Sequence, residues 1–369
     1  AEDGIRDRRK SLVGSEMCIR DSLTPTAEGT PVPALHEARY YLQLEGNRVQ
    51  CQMCWRRCTV PEGGRGFCRN KVNVGGRYYT LVYAHPSALQ IDPIEKEPSF
   101  HFWPGATIFC TGTASCNNRC KFCHNWHLSQ RSFEEIQHVV ISPVQTVELA
   151  REMECDAVSF TYNEPTVFYE HMFDVAKLAK RAGMGTLFHT NGGINEEPLA
   201  ALLEHMDAVT VDLKAFTPEF YQEVSSSRLE PVLRTLQQIH QSDAHLEIVN
   251  LMVPTLNDAD GELRDLSAWV RAHAGPDTPV HFTRFHPDYQ LRNLPPTPVA
   301  TLERAYDLAR AEGLRYPYVG NVPGHPGNQT RCPGCDAVII SRRGFFVDRV
   351  DLTDGGCAHC GTAIKGVWQ

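Results

Sequence analysis

Cys116-Asn-Asn-Arg-Cys120-Lys-Phe-Cys123 has the spacing C-x3-C-x2-C and stops at three thiols. Closed iron–sulfur sites take four cysteines, and structural zinc sites also take four ligands. Three thiolates on a four-iron cube hold three of its corners and leave the fourth iron open to another molecule. The triad runs directly into His124-Asn125 and reads as a reactive [4Fe-4S] site with Cys116, Cys120 and Cys123 as ligands. The rival reading of the same spacing is a zinc knuckle with His124 or His127 as the fourth ligand.

Eleven of the fourteen cysteines fall into three such clusters, and the others are Cys18, Cys110 and Cys155. Clustered cysteines in a chain of 369 residues, with no apolar leader pattern, point to metals in a reducing compartment, so the cytoplasm is the expected location. Cys110 and Cys155 sit in apolar contexts and are expected in the core. The net charge is −8, which argues against a domain-wide basic surface for nucleic acid. No apolar run approaches the ~18 residues of a membrane span.

Residues 1–34 lack periodicity and are expected to be a disordered or non-native leader. Residues 35–100 form a Cys- and Gly-rich metal-binding subdomain, with a hairpin expected around Gly75-Gly76 and a strand over 77–83. From 101 to 320 the pattern alternates between strands and helices. Strands are predicted over 106–112, 156–160, 185–190, 207–212, 245–252 and 279–284, with helices such as 143–153, 167–181, 229–240 and 262–273 between them. Such alternation implies an α/β fold with a parallel sheet. Residues 321–369 form a second metal module.

Sheets of this kind carry their chemistry at the C-terminal ends of the strands. The triad follows the first predicted strand, Thr161-Tyr-Asn163-Glu164-Pro165 the second and Asn191-Gly-Gly193 the third. Asp212-Leu-Lys214 ends the fourth, and Arg284-Phe-His286-Pro287 ends the sixth. Taken singly, Asn-Gly-Gly is usually a turn and Asp-x-Lys a surface pair. Their joint placement at strand ends is what points to one site.

The triad and these strings together resemble the radical SAM superfamily, and within it the branch of pyruvate formate-lyase-activating enzymes. More closely, the chain resembles the AmmeMemoRadiSam family, radical SAM proteins encoded beside an AMMECR-type and a Memo-type protein. The matching strings include Cys51-Gln-Met-Cys54, Asp92-Pro-Ile-Glu-Lys96, Phe102-Trp-Pro-Gly105, Cys116 through Gln130, Val211-Asp-Leu-Lys-Ala-Phe216, Phe285-His-Pro-Asp288 and Gly320-Asn-Val-Pro323. They span about 36–369, so both cysteine-rich flanks are included. The chain departs from the family at His124, where glutamine is common, although activating enzymes usually carry histidine there.

The resemblance implies a partial (β/α)6 TIM-like barrel and reductive cleavage of S-adenosylmethionine to a 5′-deoxyadenosyl radical. The radical then takes a hydrogen from a protein, peptide or small molecule. Asn163 and Glu164 would receive the methionyl ammonium, and Lys214, oriented by Asp212, the methionyl carboxylate. Asn191 or His286 would meet the ribose, Phe122 the adenine, and His124 the cluster sulfurs or the adenine edge. A low-potential donor such as flavodoxin or ferredoxin is implied, with the AMMECR-type and Memo-type proteins as partners. A glycyl-radical-enzyme activase is one alternative, and a radical enzyme acting on tRNA another. A non-catalytic zinc-binding adaptor is a third, from a different class. Tyr162, His189 and Tyr289 stand as possible substrate-side or packing residues.

Cys332, Cys335, Cys357 and Cys360 form two C-x2-C knuckles, a zinc-ribbon pattern. Structural zinc contributes about 10–16 kcal/mol in small peptides, enough to fold so short a tail. Cys51, Cys54, Cys58 and Cys68 do not make two neat knuckles. They close either a zinc site, the preferred reading, or a second [4Fe-4S] cluster.

Overall fold

The computed structural model describes residues 35–368, so the expected leader over 1–34 lies outside the described residues. Its centre is an eight-stranded sheet of β1 (Ala88–Pro93), β2 (Thr107–Gly112), β3 (Ala157–Phe160), β4 (Gly185–Thr190), β5 (Ala208–Asp212), β6 (His245–Met252), β7 (Val280–Arg284) and β8 (Pro317–Gly320). The strand order follows the sequence order from one edge to the other. Only the β1–β2 pair is antiparallel, with Ala88 opposite Gly112. Sequential parallel order with helical crossovers winds the chain one way, as a barrel does, and gathers the strand C-termini at one end.

The six predicted strands are β2 to β7, each within two residues of its expected bounds. The sheet gains an edge strand on each side, so six strands was an undercount. β1 includes a proline and β8 is four residues long, and both read poorly as isolated strands. Strands covered on both faces need a continuous apolar run. In β3 all four residues are buried, and in β4 only His189 is not fully so.

The helices form as their periodicity dictates. Pro143–Glu152 starts with Ser142, whose side chain accepts from the Gln145 N–H in a capping box. Tyr169–Arg181 buries Met172, Val175, Ala176 and Ala179. Leu229–His240 buries Leu229, Val232, Leu236 and Ile239, an i, i+3, i+4 stripe. Thr235 on that helix donates to the Gly192 carbonyl at 2.9 Å, tying it to the loop after β4. Leu236 is fully buried, so Leu236→Ala is expected to lower stability by about 2–5 kcal/mol in chemical denaturation.

The C-terminal cysteine-rich flank packs on this sheet, and the N-terminal one on the loop after β4 and on helix Tyr169–Arg181. Gly75 and Gly76 take φ of 62° and 76° in the predicted hairpin, joining Lys71–Val74 to Arg77–Thr80. The second strand is shorter than the expected 77–83. The N-terminal core is Ala38, Val49, Val60 and Tyr78, with Cys51 and Cys58 against it. At the other end Cys332, Ile339 and Cys357 pack with Phe100, Tyr316 and Tyr318. Cys110 and Cys155 are buried, as expected. No helix among the described residues is long and apolar enough to cross a membrane.

Candidate active site

A cavity of ≈ 640 Å³ opens at the strand C-termini, a size suited to a cofactor and a substrate together. Cys116, Cys120 and Cys123 stand on its wall with Phe122, His124, Asn163, Glu164, Asn191, Asp212 and Lys214. Segments far apart in sequence therefore meet in one place.

The triad loop is held from several sides. The Asn163 amide accepts from the Thr113 N–H at 3.0 Å and donates to the Ser115 carbonyl at 2.6 Å. Ser115 and Tyr162 both adopt left-handed backbone, at φ 70° and 71°. Non-glycine residues hold that conformation only where their surroundings impose it. Cys116 Sγ receives the Asn118 N–H at 3.3 Å and Asn191 Nδ2 at 3.7 Å, while Cys123 Sγ lies 3.2 Å from Ser129 Oγ. Burial pushes the Cys116 thiol well above its usual range and the Cys120 thiol up to about 11, the latter tempered by Lys214. Such thiols ionise only when a metal takes the sulfur.

At the ends of β4 and β5 lies a part-buried charged trio. Lys214 Nζ donates to Asp212 Oδ2 at 2.7 Å, and His189 Nε2 lies 3.2 Å from Asp212 Oδ1. Burial alone would raise the Asp212 carboxyl, but the Lys214 ammonium and His189 outweigh it and hold it well below the usual range. The same ion pair outweighs burial at Lys214 and keeps it protonated. Lys214 Nζ also stands 5.4 Å from the centre of the Phe122 ring.

The surroundings of two further expected residues, Glu164 and His286, are also defined. The Glu164 carboxylate accepts from Thr166 N at 3.0 Å, Thr190 Oγ1 at 2.8 Å and Asn191 N at 2.7 Å, and from the Thr166 hydroxyl as well. Oε1 takes three of these contacts and Oε2 one, so the carboxylate caps Pro165–Phe168, fastens the loop after β4 and braces the wall. His286 lies outside the cavity. Phe285 is fully buried and its N–H meets Thr297 Oγ1 at 2.8 Å, so the next side chain turns outward to solvent beside His124. Among the described residues, Cys332, Cys335, Cys357 and Cys360 form the one set of at least three His, Cys, Asp or Glu ligand atoms lying within 4.8 Å of one another.

Sequence reasoning missed Asn118 and Glu97 and gave no site role to the Asp92–Lys96 string. Asn118 lines the cavity with both side-chain polar atoms buried and unpartnered, which suits a polar ligand. Tyr162 Oη donates to Asp92 at 2.9 Å, and Lys96 Nζ to the same carboxylate at 2.7 Å, so the Asp92–Lys96 string forms part of the wall. Glu97 is buried on that wall, where it accepts from Ser159 Oγ at 2.7 Å. No motif marked Glu97, because its environment comes from β3 and β4. Burial pushes its carboxyl up to about 7. The folded state therefore binds a proton that the unfolded chain releases near 4.5, and stability falls as pH rises from about 4.5 to 7. Glu95 is also raised to about 7 by burial and acts in the same direction. Glu97→Gln is expected to flatten, but not abolish, the fall in melting temperature across that window. An unchanged slope would show that Glu97 does not titrate there.

The geometry suits the [4Fe-4S] cluster and S-adenosylmethionine that the triad calls for. Three soft thiol donors, with N–H groups aimed at the Cys116 sulfur, stand beside a buried cation and an unpartnered amide. The radical SAM superfamily profile matches residues 111–267. The chain is 22% identical over 165 residues to the pyruvate formate-lyase-activating enzyme of Listeria monocytogenes, covering 42% of this chain and 66% of that one. A radical SAM methyltransferase structure from Sphaerobacter thermophilus aligns at 13% identity over 77% of this chain and 76% of that one, with a TM-score of 0.47. The chain thus carries a radical SAM domain with homology to pyruvate formate-lyase-activating enzymes, and that domain implies a [4Fe-4S] cluster and S-adenosylmethionine. It is 43% identical over 332 residues to the uncharacterized protein MJ0808 of Methanocaldococcus jannaschii, covering 89% of this chain and 99% of that protein. The chain belongs to the same family as MJ0808.

Proposed function

We propose that this protein is a radical SAM enzyme of the AmmeMemoRadiSam family that reductively cleaves S-adenosylmethionine. The observation that carries this reading is the meeting of the three triad thiols with the Asp212–Lys214 pair on one cavity wall. Cys116, Cys120 and Cys123 would hold the [4Fe-4S] cluster, which would supply the electron for reductive cleavage of S-adenosylmethionine. The chain's own residues bind and orient. The Lys214 ammonium is fixed by Asp212, which His189 fixes in turn, and its charge faces a cavity able to accept a carboxylate. Asn118 offers an amide donor and acceptor to the ligand. Asn191 steadies Cys116 through its amide N–H groups, and the buried Phe122 ring supplies an apolar face beside the sulfurs.

The substrate is a protein, peptide or small molecule from which hydrogen is abstracted. AMMECR-type and Memo-type proteins are the partners in this reading, with flavodoxin or ferredoxin as electron donor and zinc in the C-terminal four-cysteine group. A second reading, an activase of a glycyl-radical enzyme, draws on the likeness to the Listeria protein. The deciding experiment is anaerobic incubation of reconstituted, reduced protein with S-adenosylmethionine. Formation of 5′-deoxyadenosine is the expected result, and its absence from cluster-loaded protein would end the proposal.

A further inference from the structure

Cys51, Cys54, Cys58 and Cys68 line a second, smaller cavity together with Arg56, Phe67, Lys71 and Asn117. We propose that these four cysteines hold a second [4Fe-4S] cluster, not zinc, next to the triad.

The separation of the sulfurs favours the larger group. Tetrahedral zinc with Zn–S bonds of about 2.3 Å has sulfur–sulfur edges of about 3.8 Å. The C-terminal quartet has that size, with Cys332 and Cys360 sulfurs 3.5 Å apart and Cys335 and Cys357 sulfurs 3.8 Å apart. Cys51, Cys54, Cys58 and Cys68 share a cavity but bring no three sulfurs within 4.8 Å of one another, and neither does the triad. A cube carries each thiolate on a separate iron corner, so its sulfurs stand further apart than the edge of a tetrahedron around one ion. By this measure the N-terminal quartet matches the triad and differs from the C-terminal ribbon.

The surroundings suit a bulky anionic group. Phe67 N–H points at Cys58 Sγ from 3.5 Å, the kind of contact that tunes cluster sulfurs. A Cβ on Gly66 would stand 2.8 Å from Tyr78 Oη and 3.7 Å from Cys58 Sγ, so only glycine leaves that side open. Lys71 is buried on the cavity wall and paired with Glu170 at 2.6 Å.

Two guanidinium groups and one asparagine separate this site from the triad. Arg119 donates to the Cys116 carbonyl at 2.6 Å and to the Phe67 carbonyl at 3.0 Å, beside Cys68. Arg56 donates to the Asn117 carbonyl at 2.6 Å, and both guanidinium groups stack on Phe67. Asn117, adjacent to Cys116, lines the smaller cavity and accepts from Asn191 Nδ2 at 2.7 Å. With Arg119 touching the backbone on both sides, reduction of both clusters is expected to couple their unpaired spins.

The test is the anaerobic iron, sulfide and zinc content of three full-length proteins, with electron paramagnetic resonance after dithionite reduction. Wild type is expected to hold about eight irons and one zinc, with spin-coupled signals. The Cys116→Ala/Cys120→Ala/Cys123→Ala variant should keep about four irons and give a simple uncoupled spectrum, and Cys54→Ala/Cys58→Ala should lose four irons while keeping its zinc. About four irons and two zincs in wild type, or an iron-free triad variant, would overturn the assignment. If the Cys54→Ala/Cys58→Ala protein does not fold, wild type and the triad variant still decide. A second cluster without a working triad would appear as iron that the triad substitutions leave untouched.

Discussion

Cys116→Ala/Cys120→Ala/Cys123→Ala is expected to abolish 5′-deoxyadenosine formation and to remove about four irons per chain. The fold should survive. Without metal, burial keeps these thiols protonated, Cys120 up to about 11, so they behave as small apolar side chains. Alanine fills most of that role, and the loop keeps its supports from Asn163. Cluster content, product formation and far-ultraviolet circular dichroism of the same preparation separate loss of chemistry from loss of structure. Continued turnover in the triple variant would remove the triad from the catalytic site.

Lys214→Met is expected to weaken S-adenosylmethionine binding about 10- to 100-fold, the loss of one charge-assisted hydrogen bond of about 1.5–3 kcal/mol. It also leaves Asp212 with His189 as its one charged neighbour among the contacts described at the site. Stability should fall by about 2–4 kcal/mol, less than for a fully buried pair, because 22% of the Asp212 side chain remains exposed. The pH dependence shifts with it. In the native protein Lys214 and His189 hold the Asp212 carboxyl low, so the pair's stabilisation is present above the ordinary value of 3.8 and is lost as pH falls below it. In Lys214→Met burial acts with less opposition, the carboxyl moves up, and acid unfolding should begin at higher pH. Anaerobic calorimetric titration and acid denaturation read the two effects. An unchanged dissociation constant with reduced stability would make Lys214 a structural residue.

The residues of the wall differ in how far they could be read from the chain. Asp212 and Lys214 were legible because strand β5 ends where its apolar run ends, and two charges at a strand terminus are conspicuous. Glu97 was invisible because it follows a short turn with no periodicity, and the burial that raises its pKa comes from β3 and β4. Asn118 was equally obscure, since an asparagine between two cysteines has no pattern of its own. His286 went the other way. It occupied the right place in the sequence, but Phe285 took the inward position and the two-residue alternation turned the histidine out.

The sequence by itself determined the three cysteine sets, the six inner strands and the assembly of motifs at one end of the sheet. Those features follow from local spacing and apolar periodicity, which neighbouring residues fix. Only the tertiary structure decided the two edge strands, the structural occupation of Glu164, the exposure of His286 and the separation of the sulfurs within each set. Sequence spacing limits which cysteines can share a metal, but distances between side chains depend on how distant segments pack. The spacing of the sulfurs in the N-terminal quartet emerges only after it has been folded against the loops after β2 and β4.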